Sequence, residues 1–454
     1  MAAAAMATLR AHQACSRATA VADELPTTLP PAFLAFLKRN GLDVSIYAAA
    51  ATLPRYVRVK PQAISEIPEI EEELGLKLSS LTWLPNFFSL PPEAQIASTQ
   101  AYQQGKLYGM DAASGAAVAA LAISPGDHVL DVCAAPGAKL CMMAEFLGDS
   151  GSLTAVDISR PRLAACRTML RKYDLGRRTR LYLGDGTSFS LLPLTGTSKL
   201  SPANVCDDQC HNEEPTEVTG NSDRLCKGGF QKDARAEITS LYGEWRSGRT
   251  RQEKRAAKRA KYLGIPEQIS WDDRAPELFF YGVDSGVVGM KVADVAQTCS
   301  DSQNTSLRGY DKVLVDAECT HDGSLKHITK YEQWGWETFE RRFLNEDRIA
   351  SITSLQLRLL SNGFRLLNPG GTLVYSTCSF TKDQNEGVVG RFLATHNNAE
   401  LQEVELARQW PCSPGGLPHT LRFDPVSSNT SGLFMAKLTK LGCGPSNKSE
   451  VGGC

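Results

Sequence analysis

Two cysteines stand where a thiol could act as a nucleophile. Cys378 lies in Ser376-Thr377-Cys378-Ser379-Phe380, and Cys319 lies in Asp316-Ala317-Glu318-Cys319-Thr320, each after an apolar run. A free thiol titrates at about 8.5, so little is thiolate at neutral pH, and a polar site at a strand end raises that share. Asp316 adds a carboxylate three residues before Cys319. Cys378 alone would also fit a small buried core residue. Beside a second thiol and an acid it reads as part of a reacting set.

A second constellation is suited to binding a cofactor. Asp131-Val132-Cys133-Ala134-Ala135-Pro136-Gly137-Ala138-Lys139 closes one apolar run and opens a helical one. Its small residues let the backbone approach a ligand, and the helix start favours an anionic group. It is not Gly-x-Gly-x-x-Gly, which argues against a dinucleotide. Asp157 follows 26 residues after Asp131 and can accept both ribose hydroxyls; Asp185, in Gly184-Asp185-Gly186, can receive an adenine amino group. The plainer alternative is three helix caps without a ligand.

A carboxylate and two thiols beside a methyl donor form a specific combination. Carbon 5 of cytosine is not nucleophilic enough to take a methyl group unaided. A thiolate adding to carbon 6 turns the ring into an enamine and activates carbon 5, once the base has left its stack. An acid at nitrogen 3 would stabilise the developing charge, and Asp316 has that chemistry. A base must then remove the carbon-5 proton before the thiol can leave.

The elements that position these residues follow a strand–helix rhythm. Helix 112–122 precedes a Pro125-Gly126 turn, strand 128–133, helix 139–147, strand 151–157, helix 160–172 and strand 180–183. The rhythm resumes with strand 313–315, helix 346–366, the turn Asn368-Pro369-Gly370-Gly371, strand 372–376, helix 386–395 and strand 432–438. Such alternation predicts a mostly parallel sheet of βαβ units in an α/β, Rossmann-like domain assembled from two halves, 109–190 and 308–440.

Residues 191–307 are expected to be an insertion. Its first part, to about 235, is polar and predicts disorder; its second part carries a basic run at 246–261, suited to RNA contact, nuclear import or a solvated linker helix. Residues 31–108 predict a small α/β module, with helices at 31–50 and 62–75, a strand at 53–59 and another at 83–90. It could also be a structural cap on the next domain. Residues 1–30 read as a disordered leader or an organelle-targeting segment, and 441–454 as a flexible tail.

The 454 residues, 42% of them hydrophobic and 22% charged, predict two or three soluble domains. No apolar run reaches the roughly 20 residues that span a bilayer, so a membrane protein is not expected. A net charge of −1 leaves nucleic-acid binding to local basic patches. The 13 scattered cysteines suggest free thiols in a reducing compartment, with Cys141 and Cys166 as core residues. Cys206, Cys210 and His211 hint at metal ligation without a clean second pair, so no metal is expected.

These motifs resemble the Sun-type (NSUN) RNA cytosine-C5 methyltransferases over roughly residues 50–190 and 308–440. Met110-Asp111-Ala112-Ala113-Ser114, the 131–139 loop, Asp316-Ala317-Glu318-Cys319, Tyr375-Ser376-Thr377-Cys378-Ser379 with Asn385-Glu386, and Thr430-Ser431-Gly432-Leu433-Phe434-Met435-Ala436 carry the likeness. The resemblance implies a class I fold and S-adenosyl-L-methionine (AdoMet) as methyl donor. Cys133, Ala134, Ala135, Pro136, Gly137, Ala138, Lys139, Asp157, Asp185 and Asp316 would form the cofactor site. Cys378 would form the covalent adduct, Cys319 would assist release, and Lys139 and Asp316 would contact the base. The partner implied is tRNA or rRNA, bound by a monomer. The N-terminal module resembles an RNA-recognition extension, with Arg55, Tyr56 and Arg58 matching its strand.

Two departures stand out. Ala138 replaces a glycine of the cofactor loop, and Glu318 replaces the proline beside Cys319. A carboxylate there would raise the thiol's pKa, and the missing ring would loosen the loop. His321 is either a substitute base or a surface loop histidine. The alternative function is an RNA-binding assembly factor that keeps the fold and has lost turnover. The basic run favours the nucleus or nucleolus, and the N-terminus an organelle.

Overall fold

The computed structural model describes residues 29–194, 242–244, 275–288 and 308–442. The leader, the 246–261 basic run, Cys206, Cys210, His211 and most of the 441–454 tail lie outside the described residues.

The N-terminal module opens with helix α1 (Pro31–Arg39) and a 3-10 helix at Val44–Ala51, not one continuous helix. Gly41, at φ 63°, and the Asp43 carboxylate that caps Ser45 N break the run between them. Helix α2 (Ile67–Leu74) follows β1 (Arg55–Val59). Strands β2 (Ser79–Ser80), β3 (Phe87–Leu90) and β4 (Leu107–Gly109) complete an antiparallel sheet in the order β2-β3-β1-β4.

The second sheet is 11-stranded. Its parallel centre is β5 (His128–Asp131), β6 (Ser152–Asp157) and β7 (Thr179–Leu183). Helix α3 (Ala112–Ala120) precedes β5, and α4 (Ala138–Leu147) and α5 (Arg160–Lys172) connect the three strands. Beyond β7 come β8 (Tyr242–Glu244) and β9 (Glu277–Gly282). Next are β10 (Tyr310–Asp316), helix α6 (Glu346–Leu366), β11 (Leu367–Thr377) and helix α7 (Glu386–Thr395). Strands β12 (Ala399–Gln402), β13 (Ser413–Pro414), β14 (Leu421–Phe423) and β15 (Leu433–Lys440) are the last described strands.

The order along the sheet is β13-β14-β15-β11-β10-β5-β6-β7-β9-β8, with β12 also on β15. Strands β5, β6, β7, β10 and β11 are parallel, whereas β15 and β9 run antiparallel to their neighbours. Every residue of β6 is buried, as expected for a strand covered by helices on both faces. The chain order reverses between β5 and β10, and this switch point opens a crevice at the carboxyl ends of both strands.

The 191–307 interval also contributes to the sheet, because β9 lies inside it and pairs with β7, burying Phe280 completely. Its short apolar run, Leu278-Phe279-Phe280, sits within polar sequence and showed no helical partner. The turn expected at Asn368–Gly371 is a bulge inside β11, where the register against β10 shifts.

The N-terminal module is docked firmly. Arg58 is 1% exposed and pairs with Glu145 of α4 at 2.9 Å, stacked between Phe87 and Phe146. The Tyr56 hydroxyl donates to Asn429 O at 2.8 Å, and Tyr47 donates to Asp322 O at 2.7 Å. Arg55 donates to Ala94 O, so all three β1 residues that match the RNA-recognition strand carry internal bonds. Strand alternation alone did not reveal that both faces of β1 are covered. Among the described residues no helix is long and apolar enough to cross a membrane.

Candidate active site

The cofactor loop is shaped by one glycine. Gly137 has φ 111°, and a Cβ there would sit 3.0 Å from Cys166 Cα, so only glycine fits. Ala138 is the first residue of α4, in ordinary helical backbone, so the departure at this position costs nothing locally. The Ala135–Pro136 bond is cis. Asp157, at the end of β6, accepts from Ala135 N at 3.2 Å and Ser159 N at 2.9 Å. It thereby pins the loop to the second strand, with Arg162 3.7 Å away. Asp185 accepts from Thr187 N at 2.8 Å. These bonds occupy part of each carboxylate and leave acceptor capacity toward the crevice.

Asp131 carries a further signal. It is buried, its pKa is pushed up to about 8 by burial and then by Asp316, and its Oδ1 has no hydrogen-bond partner among the described residues. An unpartnered buried carboxyl oxygen calls for a hydrogen-bond partner. It lines a cavity of about 220 Å³ with Ala134, Gly137, Ala138 and Lys139. An amino or hydroxyl donor of a nucleoside-type ligand fits that need, and the Asp157 and Asp185 carboxylates fit its sugar and base. The donor set therefore suits AdoMet.

A larger adjoining cavity, of about 700 Å³, unites the two constellations. Cys133, Ala135, Pro136, Lys139, Asp157, Asp185, Asp316, His321 and Cys378 line it. Cys133 contributes no reactive thiol, since burial pushes its pKa well up. Cys141 and Cys166 are fully buried in the core, as the sequence suggested.

Asp316 ends β10. It accepts from Lys139 Nζ at 2.7 Å and from the Ser376 hydroxyl at 2.7 Å. Lys139 also donates to Ser114 Oγ at 3.1 Å. Burial works against the ammonium charge, but the Asp316 carboxylate outweighs it and raises the Lys139 pKa.

The two reacting cysteines meet. Their sulfurs are 3.3 Å apart, and His321 Nδ1 lies 3.0 Å from Cys378 Sγ and 3.8 Å from Cys319 Sγ. Cys378 opens into the cavity, whereas Cys319 is fully buried behind it. The Cys319 hydrogen bond and the His321 imidazole hold the Cys378 thiol well below its ordinary value, against its burial. Burial, then the bond to Cys378, push the Cys319 thiol up. The charge on Cys378 raises His321 to about 9. These shifts favour a thiolate–imidazolium pair backed by a neutral thiol. His321 is thus in the site and not a surface loop histidine. Its φ of 55° turns the ring inward, and no sequence signal short of the loop's conformation shows that.

The Glu318 loop departs from expectation in two ways. The carboxylate points to Arg348 at 2.7 Å, and the Cys319 thiol is governed by burial and Cys378. The loop is also not loosened. Gln356 donates to Glu318 O at 2.8 Å, Thr320 N donates to the Gln384 side chain at 3.0 Å, and Gly323 N donates to Cys378 O at 2.8 Å. The buried Asp322 carboxylate accepts from Phe380 N at 2.7 Å, tying the loop to the strand end that carries Cys378.

Sheet order and crevice define a Rossmann-like methyltransferase fold. The methyltransferase homolog protein from Pyrococcus horikoshii superimposes with TM-score 0.51 at 21% identity, over 91% of this chain and 100% of that one. NSun6 from Pyrococcus horikoshii, solved with SFG, gives TM-score 0.54 at 16% identity over 91% and 99%. The family described as 16S rRNA methyltransferase RsmB/F matches residues 118–197 and 283–439, just over half of the chain, and the chain belongs to it. Ribosomal RNA small subunit methyltransferase B of Sodalis glossinidius is 33% identical over 131 residues, 29% of this chain and 26% of that protein. Methyltransferase F of Shewanella loihica is 32% identical over 147 residues, 31% and 27%. The chain thus spans about a quarter of the length of these relatives.

Proposed function

We propose that the protein transfers a methyl group from AdoMet to carbon 5 of a cytosine in tRNA or rRNA, acting as a monomer through a covalent Cys378 adduct at carbon 6. The observation that carries this reading is the Cys378 sulfur, open to the same cavity as Asp157 and Asp185 and paired with His321 at 3.0 Å.

Asp157, Asp185 and Asp131 would hold the cofactor, which supplies a methyl group activated on a sulfonium. The Cys378 thiolate adds to carbon 6 of an extruded cytosine. The ring electrons move to carbon 5, where they take the methyl group. Asp316 would carry a proton shared with Lys139, 2.7 Å away, and donate it to nitrogen 3 as negative charge develops there. The carbon-5 proton then passes to a base, the double bond re-forms, and the Cys378 thiolate departs. Once Cys378 is bonded to carbon 6 its charge no longer holds the proton on His321, so His321 or Cys319, the two groups beside it, could give up a proton and serve as that base.

RNA carrying 5-azacytosine tests the reading, because its ring has no carbon-5 proton to lose and the adduct persists. Wild-type protein with AdoMet should become linked to it, and Cys378→Ala should not. Equal linkage by Cys378→Ala would overturn the assignment. The basic run at 246–261 favours action in the nucleus or nucleolus, with an organelle as the alternative; imaging of the full chain separates them.

A further inference from the structure

Cys319 Sγ, His321 Nδ1 and Cys378 Sγ lie within 4.8 Å of one another. We propose that these three residues form a binding site for a thiophilic divalent cation, Zn²⁺, whose occupancy blocks attack on the base.

The chemistry of the donors selects the ion. Two thiolates and an imidazole suit zinc and not magnesium or calcium, which prefer oxygen. The spacing is close to what zinc needs. Tetrahedral bonds of about 2.3 Å to sulfur and 2.0–2.1 Å to nitrogen put two sulfurs ~3.8 Å apart and sulfur and nitrogen ~3.5 Å apart. The distances here are 3.3 Å between sulfurs and 3.0 and 3.8 Å from sulfur to nitrogen. Each edge is within about half an ångström of the ideal.

The backbone holds the donors in place. Cys378 follows the last residue of β11, and Gly323 N donates to its carbonyl. The Cys319–Asp322 loop is held by Gln356, Gln384 and the Asp322 carboxylate. Three protein ligands leave a fourth position, and Cys378 and His321 both face the cavity, so water can complete the shell. Binding converts the thiolate–imidazolium pair and the second thiol into a complex with no net charge, releasing one proton from His321 and one from Cys319. Lys139 is engaged with Asp316 and puts no uncompensated charge beside the ion. Glu318 is paired with Arg348, so it is not free to act as a competing ligand.

Binding stands apart from the proposed function, whereas blocking rests on it, since an ion on Cys378 removes the nucleophile. The full chain, freed of metal by chelation, should bind one Zn²⁺ in competition with a chromophoric chelator. Co²⁺ in its place should show the sulfur-to-metal charge-transfer band of a thiolate site. Cys319→Ala and Cys378→Ala should abolish both signals. His321→Ala should weaken binding by more than the roughly 10–100-fold that loss of an outer-shell partner costs. The triple variant Cys206→Ser/Cys210→Ser/His211→Ala should retain the ion. Melting in metal-free buffer verifies that each variant is folded.

Stoichiometry unchanged in folded Cys319→Ala and Cys378→Ala, or lost in the triple variant, would overturn the site. Added Zn²⁺ should also suppress linkage to 5-azacytosine RNA, and chelator should restore it. Linkage undiminished by one bound equivalent would overturn the blocking. Absence of linkage even without metal would sink the methylation reading and the blocking with it, and the metal titration would still decide the site.

Discussion

Burial separates the two thiols at the centre of the site. Cys319 is completely covered and its thiol is pushed up, while Cys378 faces the cavity and is held down. That asymmetry supports the proposed attack by Cys378, with Cys319 acting after it. Cys319→Ala should therefore still become linked to ordinary cytosine RNA but fail to release it. Methylated RNA joined to protein should accumulate as a slow band on denaturing gels. If instead His321→Ala accumulates that species and Cys319→Ala turns over normally, the imidazole is the base. The pH dependence of Cys378 follows from its neighbours. Its thiol lies well below the usual value and is protonated only as pH falls through that lowered value. The imidazolium partner loses its proton as pH rises through about 9. In metal-free buffer, alkylation of Cys378 by iodoacetamide should set in at a lower pH than that of an ordinary thiol. In His321→Ala the rate should be lower at neutral pH and climb toward an ordinary thiol value of about 8.5. Matching profiles for the two proteins would remove His321 from the activation of Cys378.

At the level of elements, the loop after β10 and the end of β11 behave as one unit. Gly323 packs directly on the strand end, where an added Cβ would lie 2.6 Å from Cys378 O and 3.2 Å from Gly432 Cα. Both neighbours are backbone, so the strand end must move. Gly323→Ala should cost about 1–3 kcal/mol in denaturant unfolding. It should also slow Cys378 alkylation, because the thiol shifts against His321. A variant with wild-type stability and alkylation would show that the contact is slack. The unit also marks where sequence reading stopped. Strands ending in Asp131, Asp157, Asp316 and Thr377 were legible, since each is an apolar run closed by a polar residue, and helices 160–172, 346–366 and 386–395 match to the residue. The Glu318 loop was not legible. What holds it comes from Gln356 and Gln384, roughly forty or more residues away, and its His321 needs a positive φ that residue type alone does not announce. The partners of Arg58 and Tyr56 were not legible for the same reason: strand alternation gives two faces but not what covers each.

For the whole molecule, the question is how much of the interval between the two halves the fold requires. β9 is the described strand of that interval whose side chains enter the core. It pairs with β7 through Arg180, Leu181, Tyr182 and Leu183, and its Phe280 is fully buried. Arg160 and Arg167 of α5 sit over Phe279, and Arg171 over Phe280, so the strand also fastens that helix. Asp284 extends the link, pairing with Arg177 at 2.9 Å. Two deletions distinguish these roles. Removing residues 195–274, with a short Gly/Ser linker, leaves β9 intact and should melt close to the full chain. Removing 195–300 takes β9 away, uncovers β7 and empties the Phe280 site. Phe280→Ala alone should cost about 3–5 kcal/mol, and the longer deletion more. Because β6 and β7 carry Asp157 and Asp185 at their ends, loss of β9 should weaken cofactor binding, measured by calorimetry with AdoMet, even where the protein stays folded. RNA choice is then read separately, by comparing methylation of tRNA and rRNA by the shorter deletion. If that variant binds cofactor and forms the Cys378 adduct but no longer prefers either RNA, selection lies in 195–274 and catalysis in the described fold. If the longer deletion melts like the full chain, β9 is an appendage and the sheet ends functionally at β7.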